Sequence, residues 1–345
     1  MAYGQKAFRK IQISNAEGTP GTGEAATEIL FGVLTQTYAD ETFHIPEQDR
    51  GLLALHVETP FELQKEFELE LEGELYDRLA VFIMSNAIRG NVTATRPDVI
   101  NQPLHYLWTF APALTASNTP DETNGIDTFT IEYGDNVQAY EADYCFTVEV
   151  SIEGTVNEPV NVTWSIKGQA ITETTFTPAL VAPTAKYFSF DCAKFFIDTS
   201  FAGIGVTQKI GMLRAFTWTF ETMFTARFAA DGTCVFSSLN EARKAAKLEL
   251  TYYRDGTNSE AEKNKFEAQT LFFPRIRLES SGEMDAGQTN PPYINIDGAY
   301  RYTEWPETDE EDGTAVVTVT AEAFYDPTSA KMIEVQVGTT MSVFA

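Results

Sequence analysis

Polar and apolar residues alternate with a period of two through a twelve-residue run at positions 61–72. The odd positions are Phe61, Leu63, Lys65, Phe67, Leu69 and Leu71, and the even positions are Glu62, Gln64, Glu66, Glu68, Glu70 and Glu72. Successive side chains of a β-strand point to opposite faces, so the run predicts one apolar face and one face with five carboxylates. Such a strand presents a negative surface, which favours a structural role over an enzymatic one.

The same reasoning predicts strands along both halves of the chain, with one helix in each half. Strands are predicted at 7–14, 52–72, 106–111, 129–133, 144–153, 160–167, 215–225, 247–253, 271–279, 293–299, 314–323 and 333–337. Residues 74–89 predict an amphipathic helix with Leu75, Leu79, Phe82, Ile83 and Ala87 on one face. Residues 258–268 predict a polar helix opened by a capping box of Ser259 and Glu262. The sequence therefore predicts a mainly β fold.

Other strands repeat the polar face more weakly. At 144–153, we expect one face to carry Tyr144, Phe146, Val148, Val150 and Ile152, and the other to carry Thr147, Glu149, Ser151 and Glu153. Phe216, Trp218 and Phe220 alternate with polar residues and are expected in the core. The candidate surface residues are therefore Glu62, Glu66, Glu68, Glu70, Glu72, Glu149 and Glu153.

The length and a change of composition near the midpoint predict two domains. A chain of 345 residues is long enough for two hydrophobic cores. From 171 to 186 the chain is rich in Thr, Pro and Ala without clean periodicity. We therefore divide it into a first domain at 1–175, a linker at 176–186 and a second domain at 187–345.

The charge balance restricts the classes of partner. A net charge of −26, from 50 acidic and 24 basic residues, disfavours direct binding to phosphate backbones. A negative wall beside nucleic acid remains compatible with it, because such a wall repels the polyanion. The three cysteines favour a reduced, cytoplasmic protein, and no apolar stretch resembles a signal peptide or a membrane span.

A search for catalytic or metal-binding patterns yields no site, so we expect a protein that is not an enzyme and binds no cofactor. His44, His56 and His105 have no histidine at metal-ligand spacing. The loop at 18–23 lacks the lysine and flanking elements of a phosphate loop. The acidic segment 304–312 is a conceivable calcium site, although its spacing favours a solvated hairpin loop. A carboxylate pair for glycoside hydrolysis would need two carboxyls at a set distance, which one strand face does not provide.

Two segments of the chain resemble a known family. The first comprises Leu-Glu-Leu-Glu-Gly-Glu (69–74), the helix after it, Ala-Ile-Arg-Gly (87–90), Phe-Ala-Pro (110–112), Asn-Thr-Pro (118–120) and Phe-Thr-Ile-Glu-Tyr (129–133). The second comprises Leu-Glu-Leu-Thr-Tyr-Tyr (248–253), Asn-Ser-Glu-Ala-Glu (258–262) and Phe-Pro-Arg-Ile-Arg-Leu-Glu (273–279). Both are similar to the tail tube proteins of long-tailed bacteriophages, particularly those with a duplicated tube domain. The resemblance covers most of residues 50–340 and rests on element order and short fragments.

The resemblance implies two β-sandwich or half-barrel domains, each flanked by one α-helix. It implies a virion tail protein, assembled in the host cytoplasm, that forms homotrimeric rings with pseudo-sixfold symmetry. Rings would stack into a tube, contact other tail proteins and let DNA pass without specific binding during ejection. The seven candidate glutamates would then line the lumen. Two alternatives remain: another virion component, such as a decoration or baseplate protein, and a carbohydrate-binding or carbohydrate-cleaving β-sandwich.

Overall fold

A computed structural model describes residues 6–39, 42–44, 61–284, 290–311 and 313–344, which form a mainly antiparallel β-structure. The strands of the first half are β1 (Lys10–Ala16), β2 (Glu28–Leu30), β3 (Val33–Ala39), β4 (Thr42–His44), β5 (Phe61–Gln64), β6 (Phe67–Glu74), β7 (Tyr106–Phe110), β8 (Phe129–Gly134), β9 (Ala139–Thr155), β10 (Asn161–Gly168) and β11 (Ala170–Thr174). Those of the second half are β12 (Lys194–Asp198), β13 (Leu213–Glu221), β14 (Phe224–Arg227), β15 (Ser238–Glu241), β16 (Ala245–Tyr253), β17 (Phe273–Glu279), β18 (Tyr293–Gly298), β19 (Tyr300–Glu304), β20 (Asp309–Glu311), β21 (Thr314–Ala323) and β22 (Ile333–Thr339). The α-helices of the described residues are α1 (Asp77–Ala87) and α2 (Asn258–Glu267). The predicted mainly β fold is confirmed.

One large sheet runs through both halves of the chain. Its main path is β19-β21-β16-β13-β9-β10-β6-β3, and β1, β2, β8, β11 and β20 join it off this path. A second sheet has the order β12-β17-β18-β22-β7. Apolar residues from both sheets and from α1 belong to one continuous core, so the sheets pack together around a shared interior.

The strand order of the first half recurs in the second. The path of the first half reads β3-β6-β10-β9, and that of the second half reads β13-β16-β21-β19. When the four strands of each path are numbered in chain order, both paths run first, second, fourth, third. A helix follows the second strand in each case, α1 after β6 and α2 after β16. The third strand of each set is bulged at the matching place: Val148 is the extra residue of β9 and Thr303 that of β19. The two halves therefore share a sheet-plus-helix unit.

The two units are joined strand to strand and also exchange a strand. β9, at the edge of the first unit, pairs antiparallel with β13, the first strand of the second. A Cβ on Gly154 would lie 2.8 Å from ring atoms of both Phe190 and Phe216, so glycine permits the close packing at this junction. β7, from the first half, pairs with β22 near the C-terminus. Residues 176–186 form no strand or helix, and the division into two domains there stays a prediction.

Helix α1 is buried on all sides, which differs from the amphipathic helix that its sequence predicts. Ten of its eleven residues are buried, including Leu79, Phe82 and Ile83. The helix contacts β9 of the large sheet and β22, β18 and β7 of the second sheet. Because it is covered by both sheets, even Asp77 lies inside, where it accepts hydrogen bonds from Thr339 Oγ1 (2.6 Å) and the Lys186 amide (3.1 Å).

Helix α2 begins as predicted, but the predicted capping box is wrong. Asp255, before the helix, accepts hydrogen bonds from the amides of Thr257 (2.9 Å) and Ser259 (3.0 Å). Ser259 Oγ donates to the Asp255 carbonyl (2.7 Å) and caps no helical amide. Glu262 instead points inward, where its carboxylate accepts hydrogen bonds from Tyr302 Oη (3.1 Å) and Lys265 Nζ (2.8 Å).

Candidate functional site: an acidic sheet face

The acidic run at 61–72 forms two strands instead of one. β5 pairs with β4, whereas β6 lies within the large sheet between β10 and β3. In β6 the predicted alternation holds: Phe67, Leu69 and Leu71 are buried, and the glutamates between them are not. Leu63, in β5, is 52% exposed, so the predicted apolar face does not extend over the whole run.

Neighbouring strands extend the polar side of β6 across the sheet. Side chains directly opposite each other on antiparallel strands lie on the same face, so the pairing register defines rows across that face. One row runs Thr35–Glu70–Ser165–Glu149–Glu221, and the next runs Val33–Glu72–Thr163–Ser151–Thr219–Lys247–Glu322–Arg301. A third runs Glu74–Asn161–Glu153–Thr217–Glu249–Thr320–Glu304. We call these three rows, together with the Glu68–Lys167 pair beside them, the acidic face.

The acidic face crosses the junction between the two units without a break. Glu149 of β9 stands directly opposite Glu221 of β13. Partial burial raises the pKa of the Glu149 carboxyl, and the negative charges of Glu221 and Glu70 raise it further. Like charges in such cross-strand positions destabilise a sheet. This arrangement costs stability and adds nothing to the core.

Few bases compensate these carboxylates. Lys167 Nζ lies 2.7 Å from Glu68 Oε1 and 4.0 Å from Glu66 Oε1. The register places Lys247 and Arg301 on either side of Glu322. Hydroxyl groups fill many of the positions between charges, and beside these rows Thr251 Oγ1 and Thr318 Oγ1 lie 2.9 Å apart. Negative charge and neutral hydroxyls therefore dominate the surface.

One end of this side of the sheet is covered. Beyond the β9 bulge, Tyr144 and Phe146 pack against Phe224, Phe236 and Leu239 of the β14–β15 hairpin, forming a second, smaller core. The bulge changes the alternation, so the prediction that Tyr144, Phe146 and Val148 share a face with Val150 and Ile152 is wrong. Thr147, predicted on the polar face, is fully buried and accepts a hydrogen bond from Trp164 Nε1 (2.8 Å).

Five of the seven candidate glutamates lie on the acidic face. These are Glu68, Glu70, Glu72, Glu149 and Glu153. Glu66 lies in the break between β5 and β6, and the side chain of Glu62 is outside the described residues. The acidic face also contains five glutamates outside the predicted set: Glu74, Glu221, Glu249, Glu304 and Glu322. The alternation of Lys247, Glu249 and Thr251 with buried Leu248, Leu250 and Tyr252 was a signal for part of this set. That these residues line a lumen stays a prediction.

The described residues contain no group of three or more His, Cys, Asp or Glu side chains placed to hold a metal ion. His105 is buried beside Tyr293, and its Nδ1 lies 3.0 Å from Gln102 Oε1. Burial raises the pKa of the Cys145 thiol well above its usual value, which disfavours the reactive thiolate. Within the acidic segment 304–312, β20 pairs with β21 as a short hairpin.

The aromatic alternation at 216–220 belongs to the core. Phe216, Trp218 and Phe220 are at most 2% exposed, and Trp218 Nε1 donates a hydrogen bond to Tyr300 Oη (3.0 Å). A carbohydrate-binding sheet would present such rings to solvent.

None of the helices described is both long and apolar enough to cross a membrane. The chain matches no protein-family model, and a comparison with curated proteins finds no significant match.

Proposed function

We propose that the chain is a structural virion protein that polymerises as stacked rings into a phage tail tube. One observation carries the proposal: both units contribute to a single acidic face, while the opposite face of the same sheet packs into the core. Crowded carboxylates, such as Glu149 opposite Glu221, cost stability in a monomer, but they become useful where a polyanion must pass. Each neutralised phosphate would add affinity through counterion release, so a wall of acids and hydroxyls lets DNA slide without binding.

Ring closure is compatible with the dimensions of the sheet. The main path has β3 at one end and β19 at the other, and a neighbouring copy would satisfy the backbone groups at these edges. Three copies of the eight-stranded path would supply 24 strands. At about 4.8 Å between strands and a tilt of about 40°, such a barrel closes at a backbone diameter of roughly 48 Å. After allowance for side chains, its lumen would still admit a DNA duplex.

Electron microscopy of the purified protein tests this function. We expect rings or long hollow tubes, formed more readily at high salt, because a trimeric ring would carry a formal charge of 3 × −26 = −78. A reconstruction should place Glu70, Glu72 and Glu149 on the inner wall. Closed shells or isolated discs would instead favour a decoration or baseplate protein. Failure to assemble at any salt concentration, or an acidic face on the outer wall, would refute the proposal.

Genome ejection provides a second test. In phage that carry Glu70→Lys, Glu72→Lys and Glu149→Lys, tubes should still form, because these side chains are outside the core. DNA should leave more slowly or stall, since lysines at these positions would bind phosphates. The matched control is glutamine at the same three positions, which removes charge without adding base. Ejection at the normal rate by the lysine variant would contradict the role given to the acidic face.

A further inference from the structure

The junction between the two units shows how this sheet adds a further unit. β13 pairs along β9 from Ala215 opposite Thr155 to Glu221 opposite Glu149. In the repeated strand order, β3 corresponds to β13, and β19 with its continuation β20 corresponds to β9. The register within each unit aligns Val33 with Ala215, because they pair with equivalent positions of β6 and β16. The two end strands thus match the two strands that already pair inside the chain.

A basic cavity lies beside the β3 end. Its volume is about 880 Å³, and its lining includes Lys6, Arg9, Lys10 and residues 31–36. Lys6 and Arg9 are exposed, and Lys10 Nζ lies 4.6 Å from the centroid of the Phe176 ring. Three bases within five residues are notable in a chain with a net charge of −26. Their position next to β3 gives this end of the sheet a charge opposite to that of the acidic face.

The β19 end has the complementary charge. Glu307, Asp309 and Glu310 are exposed on the segment that leads from β19 into the β20–β21 hairpin. At the internal junction, the turn after β9 contacts the start of β13, where the Val156 amide donates a hydrogen bond to the Arg214 carbonyl (3.1 Å).

In the repeat, the turn after β9 corresponds to the turn between β20 and β21, and Arg214 corresponds to Gly32. Gly32 is part of the wall of the basic cavity. The internal junction and the charge distribution therefore point independently to the same pair of surfaces.

We propose that the β3 edge and basic cavity of one copy bind the β19–β20 edge of a second copy of this chain. The contact between the two copies repeats the pairing of the β9·β13 junction. The acidic segment of the second copy then faces Lys6, Arg9 and Lys10 of the first. The contact is head to tail, so repeating it closes a ring when the rotation permits. This inference rests on the proposed tube function, for which it names the surfaces that join neighbouring copies in a ring.

Charge reversal on both surfaces tests the contact. Lys6→Glu with Arg9→Glu should raise the protein concentration needed for assembly by roughly tenfold or more at low salt, because two exposed pairs become repulsive. Glu307→Lys with Asp309→Lys should do the same, although it lowers the net negative charge of the chain. A chain with all four changes should assemble nearly as the unmodified protein does. Sedimentation velocity and electron microscopy measure assembly, and thermal unfolding verifies each fold.

The matched control is Arg227→Glu with Arg243→Glu, which changes the net charge equally at exposed bases on and just after the β14–β15 hairpin. This control should raise the assembly concentration much less than the Lys6 and Arg9 variant. If both variants have equal effects, or if the four-residue swap fails to restore assembly, the proposed contact is refuted while the tube function stands. If the unmodified chain never assembles, the tube function itself fails.

Cross-linking tests the register. The internal junction pairs Thr217 with Glu153, and the equivalent positions between copies are Thr35 and Asp309. With Cys192 and Cys234 changed to serine, Thr35→Cys combined with Asp309→Cys should give covalent oligomers on mild oxidation. Either cysteine alone should give none. Absence of cross-links in assembled rings of the double variant would refute the register.

Discussion

The contact between α1 and the C-terminal segment allows a quantitative prediction for Phe82. The Phe82 side chain is 2% exposed, and its ring lies edge-on to Phe344 with centroids 5.2 Å apart. Phe344 in turn packs against Trp108 at 5.0 Å, and Trp108 Nε1 donates a hydrogen bond to the Met341 carbonyl (2.9 Å). Phe82 therefore links the helix to residues more than 250 positions further along the chain.

Phe82→Ala should lower the free energy of unfolding by about 3–5 kcal/mol, the range for large-to-small changes at fully buried phenylalanines. The environment favours the upper part of this range, because strands and helix surround the site and restrict collapse of the cavity. Phe344→Ala should cost less, since Phe344 is only partly buried. The double variant should reveal a coupling of about 0.5–1.5 kcal/mol for the aromatic pair.

Urea denaturation of the unassembled protein, followed by far-UV circular dichroism and tryptophan fluorescence, measures these changes. Coincident transitions from the two probes are needed to treat unfolding as two-state. The control is Ile100→Ala, at a position 89% exposed, which should change the free energy by less than about 0.5 kcal/mol. If Phe82→Ala costs under about 1 kcal/mol with an unchanged m-value, α1 is not packed between the two sheets.

Three further predictions concern buried or crowded carboxylates. Burial is the larger cause, and the charges of neighbouring acids the smaller, of a rise in the pKa of Asp143 to about 6. The folded state therefore loses stability as the pH rises from about 4 to 6. Asp143→Asn should raise Tm at pH 7 but not at pH 4. Glu149→Gln should raise Tm at pH 7 in low salt by relieving repulsion from Glu221, and the gain should shrink in high salt and at acid pH, where the raised pKa leaves Glu149 protonated. Thr339→Val should lower the free energy of unfolding by about 1–3 kcal/mol in urea titrations, because it removes a donor from the buried Asp77 carboxylate; a change below about 0.5 kcal/mol would contradict that hydrogen bond.

Local alternation predicts the strands well where one face is buried and the other is not. The glutamates of β6 and the aromatic residues of β13 lie on the faces that the period of two assigns to them. The bulge at Val148 defeats the same reasoning, because one extra residue reverses the facing of Phe146 and Thr147 relative to the residues that follow it. Helix α1 differs for another reason: its covering by a second sheet depends on strands far away in sequence.

The acidic face could be predicted only in part from the sequence. Each row is a set of cross-strand neighbours, and alternation within one strand says nothing about which strand lies next to it. Glu221 shows this limit: its parity in β13 was readable, but its position opposite Glu149 depends on the joining of the two units. The basic cavity depends on long-range packing in the same way, because it brings residues 6–10 beside residues 31–36.

The pairing of β7 with β22 has a consequence for the order in which the protein can fold during synthesis. Phe110 lies opposite Val335, so about 225 residues must be made before this part of the second sheet can form. Contacts so distant in sequence form slowly, because a long loop must close first. A ribosome-bound chain would hold β7, and the surface of α1 that β22 covers, without their partner until β22 has emerged. Copies that reach each other before that moment meet as incomplete subunits, which gives molecular chaperones a defined interval in which to act.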